Sequence, residues 1–239
     1  MKRWAIGYLS AGALWAAGVG DHAEVQGAAR LFDAWMRGQM EYRHLPGVVV
    51  GVVQGDELVW SRAYGGVTTD AKFRMASHSK LFTATAIMHL RDAGKLRLDD
   101  PVVKYLPWFK PAAAKASDDA EITIEELLTH ASGLSREAGT HWSDLAFPDE
   151  GAVKAYVAAN PVVYAPEVRW KYSNLAYTIA ALVVEAVSGE KYAEYVRKNV
   201  FAPLGMTNSS FDDPVAGLVD GFTRRMPDGT REKVPFVSA

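Results

Sequence analysis

The chain has 239 residues, 49% of them apolar and 23% charged, which is enough apolar material for a sizeable core and argues against disorder. A formal net charge of -2 gives no basic footprint for a phosphate backbone, so nucleic acid is not the expected partner. With no cysteine, disulfides, thiolate metal sites and a Cys nucleophile are excluded, and the chemistry falls to Ser, Lys, Tyr, His and the carboxylates.

Lys2 and Arg3 precede an uncharged run from Trp4 to Gly20 rich in Ala, Gly and Leu. This has the basic start and apolar middle of a secretory signal and is too short and glycine-rich for a comfortable membrane span; an ordinary amino-terminal helix is the alternative. Residues 1–22 are therefore expected to be a signal peptide and residues 23–239 one domain of an exported protein, periplasmic or secreted, with no stable membrane span after signal removal.

Val25, Ala28, Leu31, Phe32, Trp35 and Met36 recur at helical spacing and predict an amphipathic helix over 24–40. The β-branched run Val48 to Val53, a turn at Gln54-Gly55-Asp56-Glu57 and the extended pattern Leu58 to Tyr64 predict a hairpin. A helix is expected to begin at Ser77 and end near Gly94, its apolar residues being either Leu81, Ala84, Ile87, Met88 and Leu90 or the narrower set Leu81, Ala84 and Met88. Pro101, Pro107 and Pro111 mark 98–115 as an irregular but packed connection. Thr123 and Glu126 form a capping box opening a helix over 124–130. Further helices are expected at 149–159, 175–187 and 191–200, followed by irregular chain. One hairpin is too little sheet to be stable alone.

A serine hydroxyl needs a neighbouring base before it can act as a nucleophile at neutral pH. Ser77 has Lys80 three positions on, which a helix would place on the same face, and the apolar neighbours Met75, Ala76, Leu81, Phe82 and Ala84 suggest a desolvated setting that would make the amine a better base. A helix start would also favour the negative charge that develops near Ser77 during acyl transfer. The bland alternative is a capped helix with a solvent-facing lysine. Ser-x-x-Lys recurs at Ser188 and Lys191, where a helix break intervenes and turn chemistry suffices. Tyr172-Ser173-Asn174 supplies a second group: in an extended segment the phenol and carboxamide project to the same side, Tyr172 as a general base made more acidic by a nearby Lys80, Asn174 as a hydrogen-bond partner for a substrate carbonyl. Here the alternative is a Ser173 or Asn174 cap with a core tyrosine.

The runs Phe73-Arg74-Met75-Ala76-Ser77-His78-Ser79-Lys80-Leu81-Phe82-Thr83-Ala84, Leu127-Leu128-Thr129-His130-Ala131-Ser132-Gly133-Leu134, Tyr172-Ser173-Asn174 and Pro203-Leu204-Gly205-Met206-Thr207-Asn208-Ser209 together resemble the serine β-lactamase-related family. The match is to its class C branch of β-lactamases, DD-peptidases and family VIII carboxylesterases, and it covers roughly residues 25 to 215. The chain departs from the class A pattern by carrying Tyr-Ser-Asn where that pattern has Ser-Asp-Asn. The resemblance implies an α+β, β-lactamase/transpeptidase-like fold, an antiparallel sheet flanked by helices with a mostly helical lobe. It further implies Ser77 as the acylated nucleophile, Lys80 and Tyr172 as proton-transfer partners, Asn174 as a substrate-binding group, and no cofactor or metal. The family's third motif, Lys-Thr-Gly, His-x-Gly or Trp-x-Gly on an inner strand, is not found up to Ala239. The expectation is that carboxy-terminal strands are missing and that activity and stability suffer, since one lost oxyanion donor typically costs about 10²–10³ in rate.

Other sites are weaker. His130, His141 and Asp144 make a poor metal set because ten residues and a loop separate the histidines; His130 is expected to cap its helix or pack locally. His78 is expected to point away from the Ser77–Lys80 face and takes no role. A Ser-His-Asp triad has no Gly-x-Ser-x-Gly elbow to recommend it. Trp108, Trp142 and Trp170 hint at an aromatic cleft. The expected partner is a small-molecule or peptidoglycan-like acyl substrate, with ester, β-lactam and D-Ala-D-Ala peptide all open and a lean toward ester. A non-catalytic binding or regulatory module on the same fold is the competing class.

Overall fold

The computed structural model describes residues 18–112, 121–139, 147–211 and 215–234. Two compact units emerge, one made of the chain up to Lys72 joined by the segment from Val219, the other comprising Phe73–Leu218.

In the first unit, helix α1 (Ala23–Arg43) precedes the antiparallel pair β1 (Gly47–Gln54) and β2 (Glu57–Gly65). The expected hairpin is present, tightened by a bulge where Val52 pairs with Trp60 and Val53 with Leu58. The inward face of α1 differs from the expected one. Met36 is buried and Phe32 packs edge-on against Trp60, but Leu31 and Trp35 are 77% and 56% exposed. A second small hairpin, β3 (Gly221–Phe222) with β4 (Lys233–Val234), interrupts the stretch expected to be irregular. Arg231 fastens it to the end of α1, donating to the carbonyls of Thr223 (2.7 Å), His44 (2.9 Å) and Arg43 (3.2 Å). The signal-peptide expectation lies mostly outside the described residues. Among those described, no helix is long and apolar enough to cross a membrane.

The second unit is a helical body. A 3-10 turn, Ala76–His78, leads into α2 (Ser79–Asp92); then come α3 (Ile124–Leu128), α4 (Glu150–Ala159), α5 (Asn174–Ser188) and α6 (Tyr192–Val196), the last continuing as a π turn over Arg197–Phe201. α5 is its axis. Leu175, Ala176, Ile179, Ala180, Val183 and Val184 repeat at helical spacing and are all buried, against Ala86, Ile87 and Leu90 of α2 and Ile124 and Leu127 of α3. The inward stripe of α2 is thus Thr83, Ala86, Ile87 and Leu90, which shares Ile87 and Leu90 with the broader expected set, while Leu81 is left 65% exposed. The expected ends of α4 and α5 hold, with Asp149 capping one and Ser173 the other. The Thr123–Glu126 capping box is formed in both directions, although α3 stops two residues short of the expected end. The proline-rich connection packs as expected in its described part, burying Val102, Leu106 and Phe109.

Candidate active site

The elements around Ser77 are positioned by three segments. The first is the entry to α2. Ala76 has φ 44, a left-handed conformation rare for a residue with a Cβ, so the chain immediately before Ser77 is strained and held there by its surroundings. Ser77 lies in the 3-10 turn rather than at the α-helical start, and Lys80 follows in the first turn of α2.

The second segment is 130–137. Gly133 has φ 70, and a Cβ on it would come 1.9 Å from the Tyr164 carbonyl oxygen, so only glycine allows the two backbones to meet. Its carbonyl accepts from the Val163 N–H (2.7 Å), the His130 carbonyl from Lys171 (2.8 Å) and the Arg136 carbonyl from Asn174 (2.8 Å). These bonds lash the third segment, 163–174, alongside the second.

The third segment carries the Tyr172-Ser173-Asn174 run. Ser173 is fully buried, its Oγ accepting from the Ala176 N–H (2.9 Å) as the α5 cap and donating to the Ser135 carbonyl (2.7 Å). With Ser173 turned inward, Tyr172 and Asn174 project the other way, so the capping role and the shared outward face both hold. The Tyr172 hydroxyl lies 2.7 Å from Ser77 Oγ across 95 positions of sequence. Lys80 Nζ donates to Asn174 Oδ1 at 2.6 Å and stands 4.9 Å from the Tyr172 ring centre.

Two expectations are revised. The apolar setting expected for Lys80 is not built by its sequence neighbours, since Met75 and Leu81 are 52% and 65% exposed; Lys80 is instead flanked by the rings of Tyr172 and Tyr177. Asn174 was expected to offer its carboxamide to a substrate carbonyl, yet its oxygen takes Lys80 and its Nδ2 donates to Glu137 Oε1 at 2.7 Å. Glu137 did not emerge from sequence reasoning, because a lone acid in a loop belongs to no spacing pattern.

Burial pushes the Tyr172 phenol up, but hydrogen bonding to Lys80 and Ser77 and the charges of Lys80 and Arg136 outweigh it and hold the phenol below the ordinary tyrosine value. His130 packs locally, its ring 4.6 Å from that of Tyr172 and its Nδ1 accepting from the Ser173 N–H at 3.2 Å. Burial first, and the Lys80 charge second, hold this imidazole below its ordinary value, so it favours the neutral form. His141, Asp144 and Trp142 lie outside the described residues. Trp170 is 67% exposed and edge-on to His130, whereas Trp108 packs against Phe109 under Lys154 and belongs with the helical core. The second Ser-x-x-Lys is turn chemistry as expected: Ser188 Oγ accepts from the Glu190 N–H (3.1 Å), while Lys191 pairs with Glu185 (3.0 Å).

A family model described as Beta-lactamase matches residues 32–236. The chain is 34% identical over 227 residues to Esterase EstB of Burkholderia gladioli, covering 87% of this chain and 56% of that protein. It is 35% identical over 198 residues to Penicillin-binding protein 4 of Amycolatopsis lactamdurans, covering 79% and 49% respectively. Among solved structures, EstCE1, a hydrolase with promiscuous acyltransferase activity, aligns with TM-score 0.75 at 25% identity over 88% of this chain and 60% of that one. The octameric penicillin-binding protein homologue from Pyrococcus abyssi aligns with TM-score 0.73, also at 25% identity, over 87% and 50%. The chain thus spans about half the length of the curated relatives it matches. These likenesses bear out the expected β-lactamase/transpeptidase-like α+β fold, and with the family model matched over most of its length the chain belongs to the serine β-lactamase-related family.

Proposed function

We propose that the protein is a serine hydrolase that transfers acyl groups through a covalent Ser77 ester. The observation that carries this reading is the 2.7 Å contact between Ser77 Oγ and the Tyr172 hydroxyl, beside an ammonium that favours the phenolate. In the ionised state Tyr172 takes the Ser77 proton as Oγ attacks the substrate carbonyl carbon. The resulting tetrahedral oxyanion collapses, breaking the bond to the leaving group, which recovers the proton from Tyr172. Water, deprotonated by the same phenolate, then attacks the acyl-enzyme; the bond from the acyl carbon to Ser77 Oγ breaks, the acid is released, and Oγ recovers the proton from Tyr172. Lys80 supplies a fixed positive charge next to the phenolate throughout, and Asn174 holds Lys80 in place.

The substrate class proposed is an ester or amide, β-lactams included, with an ester favoured. Support comes from the named esterase among the relatives and from the exposed Trp170 beside His130, an apolar surface near the reacting groups. Export is part of the same proposal, resting on the basic and apolar start of the chain. A fluorophosphonate or a fluorescent penicillin should label the protein once per chain, and Ser77→Ala should abolish the mass increase. Label retained by Ser77→Ala would remove Ser77 as the nucleophile.

A further inference from the structure

The two ends of the Asn174 carboxamide differ in chemistry, and its neighbours dictate which way it must face. A carboxylate only accepts hydrogen bonds and an ammonium only donates them. With Nδ2 2.7 Å from Glu137 Oε1 and Oδ1 2.6 Å from Lys80 Nζ, both contacts are favourable. Turned over, the amide would set its N–H groups against the ammonium and its oxygen against the carboxylate, and both contacts would become repulsive. The Glu137 side chain is only 15% exposed, and the backbone beside it is fixed, the Arg136 carbonyl accepting from the N–H groups of both Asn174 and Leu175.

We propose that Glu137 is a positioning residue for this site: by locking the Asn174 carboxamide it holds the Lys80 ammonium against the Tyr172 phenol. The proposal rests on the acyl-transfer reading above and adds to it the residue that sets the geometry of the base. The charged and titratable groups facing Tyr172 are Lys80 from α2, His130 and Arg136 from the 130–137 segment, and Tyr177 from α5, while Glu137 meets Asn174. Glu137 can therefore act on the phenol in two opposed ways. As a negative charge one amide away from Lys80 it opposes ionisation of Tyr172, whereas as the holder of Asn174 and Lys80 it promotes ionisation. Positioning requires the second effect to win.

The test is the pH dependence of the rate at which a fluorophosphonate phosphonylates the protein, Ser77 Oγ displacing fluoride at phosphorus, compared across wild type, Glu137→Ala, Glu137→Asp and Glu137→Gln. Aspartate keeps the charge but withdraws it from Asn174, while glutamine keeps an acceptor oxygen at the same reach and loses the charge. Positioning predicts that the alanine and aspartate variants are slowed by about tenfold or more, part of the 10²–10⁴ that a placed base contributes, and that their rising limb moves to higher pH. The glutamine variant should stay close to wild type in both respects. A limb that moves to lower pH in the alanine and glutamine variants, with aspartate unchanged, would make Glu137 a charge and not a positioner. Slower phosphonylation in every variant with an unmoved limb would make it structural only. Either result overturns the proposal, and aspartate carries the test if alanine does not fold. Ser77→Ala run in parallel reports separately on the nucleophile: label retained there sinks acyl transfer at Ser77, whatever the Glu137 variants do.

Discussion

Ser77 and Tyr172 stand 2.7 Å apart, and the reactivity of the pair depends on whether the phenol is ionised. Because Lys80 and Arg136 hold Tyr172 below the ordinary tyrosine range, the rate of Ser77 acylation should rise with pH along a limb whose midpoint lies below that range, the direction expected of a base that must lose a proton first. A stopped-flow profile with an activated ester measures it; a rate that falls over the same interval would contradict the assignment of Tyr172 as base. Tyr172→Phe keeps the ring that packs on His130 and removes only the oxygen, so acylation should drop by about 10²–10⁴ while circular dichroism stays unchanged. At this scale much was legible from sequence. Ser77, Lys80, Tyr172 and Asn174 stood out because each carries unusual chemistry at a defined spacing, and the fold brings them together. What spacing could not convey was the wiring: Lys80 reaches Asn174, and both ends of the Asn174 amide are engaged, which depends on a carboxylate 37 positions away.

Helix ends were read more accurately than helix faces, and the reason is local. Caps are decided by a few adjacent residues, so Ser173 and Thr123 could be recognised in the chain itself, whereas the inward stripe of α2 depends on where α5 lies, and tertiary packing keeps Ile87 and Leu90, adds Thr83 and Ala86 and leaves Leu81 outside. Ser173 joins this scale to the one below. Its hydroxyl caps α5 and binds the Ser135 carbonyl, so Ser173→Ala should destabilise the protein by about 1–3 kcal/mol, combining a lost cap with a half-buried carbonyl that loses this donor. Thermal denaturation measures the loss, and an unchanged melting temperature would show that the cap contributes nothing. The turn at Asp100, which receives the start of α3, is expected to respond to acid. Lys104 first and Tyr105 second pull the Asp100 carboxyl down to about 2 against the effect of burial, while the Asp100 backbone carbonyl receives the Ile124 N–H at 3.1 Å. The unfolded carboxyl, near its ordinary 3.8, binds protons that the folded one refuses, so this contribution is present above that value and disappears as pH falls through about 2. Replacing Asp100 with Asn should flatten the acid limb of a stability–pH curve, and a limb that stays equally steep would assign the acid sensitivity elsewhere.

For the whole molecule, the distribution of buried apolar residues decides which parts open first. The buried cluster runs from Ala86 to Phe201 and lies entirely within the Phe73–Leu218 unit, where Ile87, Leu127, Ile179, Val183 and Val196 are sealed from solvent. In the other unit Met36 and Tyr64 are buried, while Leu31, Trp35, Val52, Val53 and Leu58 are exposed, and among the described residues its sheets have two strands each. The helices of this body were readable from sequence because their ends and their apolar spacing are set by residues a few positions apart. The β3–β4 pair was not, since strands of two residues leave no alternation to detect and are joined through Arg231 to carbonyls almost 190 positions away. Two-stranded sheets have little independent stability. Amide hydrogen exchange should therefore be slowest along α5, at Ile179, Ala180, Val183 and Val184, and on the order of 100-fold or more faster across β1 and β2, because local opening ranges from nearly free to the full unfolding cost. Ile179→Ala should bring the α5 amides down together, removing about 2–5 kcal/mol through the cavity it leaves among α2, α3 and α5. Equal protection of Val52 and Val183 in the native protein would mean that the hairpin and the helical body open as one cooperative unit, and that apolar burial within each unit does not set the order in which the molecule comes apart.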